Sequence, residues 1–431
     1  MLLSCSILVI SYLFIFSEKM NRAVAAMLGA AAMIFFGVLT QEQAIHGIDF
    51  NTLFLLIGMM IIVGISAKSG MFQFLAVWAA KKVKVSPRGL LIALAVITAI
   101  LSMFLDNVTT VLLIVPITFQ ITKQLKINPY PYLILQIFAS NIGGTATLIG
   151  DPPNILIGSS VGLSFMDFMY SLTPIVVVTM LVVLIIFDFA FGRKIKASKR
   201  DRVAVMKMDE RRLIKNSALL KKSLVILALV IAGFISAEHI GIANGSIALT
   251  GSAVLLLLYS FGIEHDKREK LVEETFDMVD WTTIFFFAGL FVIVYGLETT
   301  GILGIIGQEF INLTKGDIAK TAMLVMWSSA FVSSAIDNIP FVATMIPMLK
   351  SMEEAAGGRE VFVPVWWSLS LGACFGGNGT LIGASANVIV AGMASREGHP
   401  INFLKFMIWG MPVMILTVAI ATVGIWLKYF M

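Results

Sequence analysis

Three aspartates set in apolar sequence are the residues of this chain best able to do chemistry. Asp106 and Asp337 each open an Asp-Asn pair, in Leu105-Asp106-Asn107-Val108 and Ile336-Asp337-Asn338-Ile339, and each is followed ten residues later by a proline, Pro116 or Pro347. A charged carboxylate in hydrocarbon is costly, so such residues usually mark ion pathways or proton relays. Removal from water favours the neutral acid, which would let each load and release protons. Asp before a helix also caps orphan amides at a hairpin tip, and the two roles are compatible. Asn107, Thr109 and Thr110 at the first tip, with Asn338 and Thr344 at the second, join them as candidate site residues.

The third aspartate, Asp151, lies in a glycine-rich break. Gly143-Gly144-Thr145-Ala146-Thr147-Leu148-Ile149-Gly150-Asp151-Pro152-Pro153-Asn154 returns as Gly376-Gly377-Asn378-Gly379-Thr380-Leu381-Ile382-Gly383-Ala384-Ser385-Ala386-Asn387. Non-helical backbone survives at membrane depth only where it lines protein or water. A broken helix offers amides to anions or neutral oxygen ligands and carbonyls to Na⁺. One Gly-Gly pair would suggest only close helix packing; two matched pairs, each with Thr-Leu-Ile-Gly and an asparagine behind it, point to a binding loop. The candidates here are Gly143, Gly144, Thr145, Thr147 and Asn154, with Gly376, Gly377, Asn378, Thr380 and Asn387. Asp151 faces Ala384 in the alignment, so it either serves coupling and substrate choice or caps the second half-helix. Cys374 is a soft ligand for a thiophilic solute or a small apolar filler. The four histidines fall in loops or helix ends and nothing reads as a metal site or a cofactor site; H⁺ or Na⁺ would serve as coupling ion.

These residues need elements to hold them. With 58% apolar and 13% charged residues the chain is an integral membrane protein. Uncharged runs over 22–40, 51–67, 165–190, 246–262, 282–297 and 404–427 are long enough to cross hydrocarbon as helices, and alternating barrel strands are absent. Leu2–Phe16 lacks a basic flank and a cleavage site, so it reads as a retained first helix with its counterpart near Leu224–Ile235.

The repeat is wider than its motifs. Asp49-Phe50-Asn51-Thr52-Leu53-Phe54 aligns with Asp280-Trp281-Thr282-Thr283-Ile284-Phe285, Gly58 with Gly289, and Gly29 with Gly251. The expected fold is all-α and polytopic: an inverted-topology repeat with two re-entrant hairpins and two unwound transmembrane helices. Residues 1–192 and 223–431 form the two membrane repeats, joined by a basic linker over 193–222. Five net crossings per half would invert the second copy. The linker carries twelve of the 31 Lys and Arg residues, which places it in the cytoplasm and both termini outside. Its charge run reads as a solvated connector. No basic run is interleaved with aromatics as a nucleic-acid site would need.

DNVTTVLLIVPIT and NIGGTATLIGDPPNILIG, with DNIPFVATMIPM and GGNGTLIGASANVIVAG in the second half, resemble the ion transporter superfamily. They are most similar to the branch holding ArsB-type arsenite permeases, NhaD-type sodium/proton antiporters and the melanosomal P protein. The resemblance implies a scaffold and a transport domain, a homodimer, and a cytosolic ATPase subunit as an optional partner. Related dicarboxylate carriers place Ser-Asn-Thr at each tip where sodium binds; here Asp106-Asn107-Val108 and Asp337-Asn338-Ile339 stand instead, which favours proton coupling.

The expected function is therefore a non-enzymatic, multi-pass cell-membrane transporter, exporting arsenite or antimonite in exchange for protons. The alternatives are sodium/proton antiport and transport of a small inorganic anion or a dicarboxylate. Two membrane aspartates could also form an intramembrane protease dyad, but neither stands in a Gly-x-Gly-Asp context.

Overall fold

The computed structural model describes all residues except Glu18, Met208, 303–306 and 308–313, and every regular element among the described residues is helical. Among the described residues, eight helices are long and apolar enough to cross a membrane: Phe50–Lys68, Pro87–Phe104, Asn107–Leu125, Thr173–Gly192, Ser217–Ile240, Trp281–Thr299, Ile318–Ala335 and Phe403–Tyr429. Shorter apolar helices run over Leu2–Ile15, Arg22–Phe35 and Asn244–Ser260.

Local chemistry sets the helix ends. Asp49, Ser86, Asn216, Asp280 and Asp317 each accept a backbone amide at the start of a long helix. Two expected spans are shorter than their apolar runs. The run over 22–40 stops at Phe35, because Gly37 turns left-handed (φ 72°) and Thr40 opens a new helix with a capping box. The run over 165–190 is two helices, since Ser164 and Asp167 box the short helix Phe165–Ser171 and a second helix begins at Thr173 with Pro174 in its first turn.

Four outer helices pair across the repeats. A Cβ on Gly58 would lie 2.5 Å from the backbone of Ala248, and one on Gly289 would lie 2.7 Å from the backbone of Ala26. Phe50–Lys68 thus packs on Asn244–Ser260, and Trp281–Thr299 packs on Arg22–Phe35, backbone against backbone. Helices of the first half thus pack directly on helices of the second.

The inner layer holds two helical hairpins, Pro87–Phe104 with Asn107–Leu125 and Ile318–Ala335 with Asn338–Ala355. Each lies against an interrupted helix: Tyr130–Gly144 resuming as Pro152–Val161, and Arg359–Gly376 resuming as Ser385–Arg396. Two contacts at the ends of these interrupted helices, one of them to the start of the helix Phe403–Tyr429, report their relative direction. The Tyr130 hydroxyl donates to the Lys405 carbonyl at 3.2 Å, and Arg359 donates to the Gly162 carbonyl at 2.6 Å. The start of each therefore lies beside the end of the other, and the two copies are inverted.

The Tyr130 end is the face that carries the linker, where Lys126 meets Asp201 at 4.0 Å and the Lys215 amide donates to Ser69 at 2.9 Å. The opposite, distal face carries Ser4 against Thr300 (3.1 Å) and Lys428 on the Tyr170 carbonyl (2.9 Å). Among these linker-face contacts the linker proves to be more than a solvated connector. Its helix Lys199–Met206 buries Val205 completely, and Lys81 pairs with Glu210. One fully buried valine among the charges anchors what composition alone presents as a polar tether.

Candidate functional site

The two hairpin tips meet in the middle of the molecule. Between them and the outer helices lies a cavity of about 370 Å³, lined by Asp106, Asn107 and Thr109 of the first tip, Asn338 of the second, Asp151, Pro152 and Ser385 of the interrupted helices, and Arg22, Asp280 and Thr283 of the outer layer.

Asp106 caps the helix it precedes. Its carboxylate accepts the Thr109 amide at 2.9 Å and the Thr109 hydroxyl at 2.5 Å. Asp280 uses the same device on Thr283 (3.1 and 2.5 Å), as does Asp49 on Thr52 (3.2 and 2.7 Å). An Asp followed three residues later by Thr satisfies both an orphan amide and a hydroxyl in one turn. Asp337 is differently placed. It accepts the Ile339 amide at 3.1 Å, the Ser385 hydroxyl at 3.1 Å and the Arg22 guanidinium at 3.0 Å. Arg22 further donates to Ser385 (2.9 Å) and Thr283 (3.3 Å) and lies 5.3 Å above the Phe286 ring.

Asp151 does not cap its half-helix. It occupies the capping position, but Pro152 and Pro153 have no amide to give, so its carboxylate is left to other partners. One oxygen accepts the Asn338 amide at 3.5 Å, and the other is buried without a partner. Thr110 likewise buries an unpartnered hydroxyl. These are the groups near the tips with hydrogen-bonding capacity in hand.

The loop residues expected as ligands do a different job. Asn154 donates to the Thr145 and Thr147 carbonyls at 3.1 and 2.8 Å, and Asn387 donates to Gly377 and Thr380 at 2.7 and 2.9 Å. Thr147 bonds the Met103 carbonyl, and Thr380 bonds that of Ser334 at 2.6 Å. Thr145 and Thr344 donate back into their own helices, to Asn141 and Phe341 at 2.8 Å each. Asn154, Asn387, Thr147 and Thr380 hold the unwound loops closed and fasten them to the hairpins, and none of these side chains, nor Thr145 or Thr344, lines the cavity. The glycines serve the same end. A Cβ on Gly143 would lie 2.3 Å from the Ala99 carbonyl oxygen and one on Gly376 2.6 Å from that of Ala330, so each pair lets a hairpin arm touch the interrupted helix. Gly144 and Gly377 lie against the carbonyls of Gly150 and Gly383, where each loop folds back on itself.

The interrupted helices cross at a buried amide cluster. Asn141 donates to Asn378 and Asn387 at 3.1 and 3.0 Å, while Ser370 donates to Asn154 at 2.6 Å. Cys374 occupies the repeat-related place of Asn141, fully buried, with its sulfur 3.6 Å from the Asn154 oxygen. Among the described residues no group of three His, Cys, Asp or Glu is placed to hold a metal.

Sequence reasoning missed Arg22, Asp280, Thr283, Ser385 and Asn141. Asp280 and Thr283 were within reach, because their repeat with Asp49 and Thr52 is visible. Arg22 carried no such signal, being a charge at a helix start 315 positions from its partner.

A second cavity, of about 380 Å³, opens on the distal face and is the repeat image of the first. Gly47, Asp49, Phe291, Tyr295 and Ala343 stand where the first has Met278, Asp280, Met60, Gly64 and Leu112. Large and small residues trade places between them: a Cβ on Gly64 would lie 2.6 Å from the Met278 sulfur, and one on Gly47 would lie 2.7 Å from the Tyr295 side chain. The first cavity, on the linker side, reaches both hairpin tips; the second reaches neither.

The profile of the citrate transporter family (CitMHS) matches residues 12–372. An uncharacterized transporter of Mycobacterium bovis is 41% identical over 430 residues, covering 99% of this chain and 98% of that protein. The P protein of Sus scrofa is 32% identical over 94% of this chain, which spans 57% of that longer protein. The crystal structure of the YdaH transporter of Alcanivorax borkumensis shares the fold, with a TM-score of 0.61 and 14% identity over 88% of this chain and 86% of that one.

Proposed function

We infer that this chain, which belongs to the CitMHS citrate transporter family of the ion transporter superfamily and is a multi-pass membrane transporter, moves a small solute by alternating access driven by H⁺ or Na⁺. The observation that carries this reading is the pair of repeat-related cavities on opposite faces, of which one reaches the acidic hairpin tips. An inverted repeat gives each half the conformation that the other half adopts when access switches. Exchange of the two conformations would close the linker-side cavity at Gly64 and Met278 and open the distal one at Tyr295 and Gly47. The hairpins then act as re-entrant gates, with the linker face cytoplasmic, as its lysine and arginine bias favours.

The charge of the cavity bears on the solute. Asp106, Asp151 and Asp280 face it, while Arg22, the only cationic residue in its lining among the described residues, is held by Asp337. An excess of carboxylates favours a cation, or a neutral hydroxylated solute that donates hydrogen bonds to them, over a bare anion. Proton-coupled export of arsenite or antimonite, which are neutral trihydroxy acids near pH 7, fits that environment. Citrate, the solute in the family's description, is the second reading; it would need its charge offset by Arg22 or an accompanying cation.

The test is flux in proteoliposomes with arsenite, Na⁺ or citrate under imposed pH gradients. Arsenite movement opposite to the proton gradient, abolished in Asp106→Asn, is expected. Flux of citrate or Na⁺ alone would replace the solute assignment, and absence of any gradient-dependent flux would overturn the transport mechanism.

A further inference from the structure

We propose that the Arg22 guanidinium is a built-in cation at the second hairpin tip, so that a coupling ion binds at the first tip alone. This rests on the transport reading above and deepens it. The repeat makes the two tips alike in sequence, with an aspartate, an asparagine and a following helix start in each. Their electrostatic surroundings are not alike. Asp106 accepts the amide and hydroxyl of Thr109, and no lysine, arginine or histidine is paired with it among the described residues. Asp337 is paired at 3.0 Å with Arg22, and Ser385 bridges the two by donating to the carboxylate and accepting from the guanidinium.

Arg22 comes from the outer layer, whereas Asp337 and Ser385 belong to the second hairpin and the second interrupted helix. The guanidinium is positioned from three sides, by the carboxylate, by the Ser385 and Thr283 hydroxyls and by the face of Phe286. A planar fork held in this way presents a permanent positive charge to the carboxylate. The position that aligns with Arg22, with Gly29 set against Gly251, is Asn244, which carries no charge to offer the first tip. Among the described residues, the remaining charged groups that line the cavity, Asp106, Asp151 and Asp280, are all acidic. A mobile cation arriving in the cavity therefore finds Asp106 and the unpartnered oxygen of Asp151 open to it, and finds Asp337 already neutralised. The asymmetry sets stoichiometry: one coupling ion per cycle at the tips, where two equivalent tips would take two.

Removing the guanidinium should create a second ion requirement. In the full-length protein, Arg22→Ala should melt lower in detergent than the wild type, and millimolar guanidinium or Na⁺ should restore it while leaving the wild type unmoved. In proteoliposomes the Hill coefficient for the coupling ion should rise from about one to about two in Arg22→Ala and return to about one in Arg22→Lys. The double variant Arg22→Ala/Asp337→Asn should lose the added ion requirement and fold even if the single variant does not. Equal ion dependence in wild type and Arg22→Ala, or a double variant as unstable as the single one, would overturn the proposal, because Arg22 would then serve packing and not charge. Melting is read without flux, so ion rescue of Arg22→Ala in a protein that transports nothing would uphold the tip assignment while removing the transport reading.

Discussion

Replacing Asn154 by alanine removes a single side chain that holds the first unwound loop in shape. Its amide donates to two carbonyls, Thr145 at 3.1 Å and Thr147 at 2.8 Å, and its oxygen accepts the Ser370 hydroxyl at 2.6 Å. All of these groups are buried, so no water replaces the lost partners. Each carbonyl left unsatisfied costs about 1–2 kcal/mol, and two together give a loss of about 2–4 kcal/mol before any relaxation. Asn154→Asp is the sharper version, because it keeps the volume and sets a carboxylate against the same carbonyls. Melting of the purified protein in detergent, followed by intrinsic fluorescence, should drop by several degrees in Asn154→Ala and further in Asn154→Asp. The matched Asn387→Ala, which frees the Gly377 and Thr380 carbonyls, should fall by a similar amount. A melting point within a degree of the wild type in both alanine variants, with solute binding lost, would refute this reasoning and return the asparagines to the role of direct ligands.

Gly58→Val and Gly289→Val should each prevent folding or lower expression sharply, because the new Cβ would lie 2.5 and 2.7 Å from opposing backbone atoms that cannot swing aside; normal yield of either would contradict the close outer-layer pairing. Asp151→Asn keeps the Asn338 contact possible but gives the unpartnered site a neutral group, so coupling-ion affinity should fall at least tenfold with folding intact; unchanged affinity would take Asp151 out of the ion site. Hydrogen bonding from Lys81 holds the Glu210 carboxyl below its ordinary range, so that contact is complete at neutral pH and is lost as pH falls through the lowered value. Proteolysis of the 193–222 linker should be slow at pH 7, quicken in acid and be fast at both in Glu210→Gln; a rate independent of pH in the wild type would refute it.

Much of this architecture was legible because it rests on local chemistry that recurs. Asp-Asn at a hairpin tip, Gly-Gly where a helix must be touched, and Asp-x-x-Thr at a helix start are short-range devices, and the sequence shows each of them at least twice. The partners were not legible. Thr147 and Thr380 look like ligands in the string Thr-Leu-Ile-Gly, yet they spend their hydroxyls on hairpin carbonyls more than forty residues upstream. Polar side chains in a low-dielectric interior take the nearest backbone group the fold brings to them, and that group is set by packing between distant helices. Arg22 illustrates the converse: its charge reads as membrane orientation until the fold sets it on Asp337. The linker's hold on the linker face through Val205 escaped for the same reason, since one apolar residue among many charges carries no period.

If two repeat-related cavities give one site access to opposite faces in turn, thiol accessibility reports the exchange most directly. The chain has only Cys5 and Cys374 to remove, after which Met60→Cys reports the linker-side cavity and Phe291→Cys its distal image. A membrane-impermeant thiol reagent applied to each face of sealed vesicles should label Met60→Cys from the linker side and Phe291→Cys from the distal side. A coupling-ion gradient with solute should then protect one as it exposes the other. Labelling of both positions at rates indifferent to ion and solute would contradict the account.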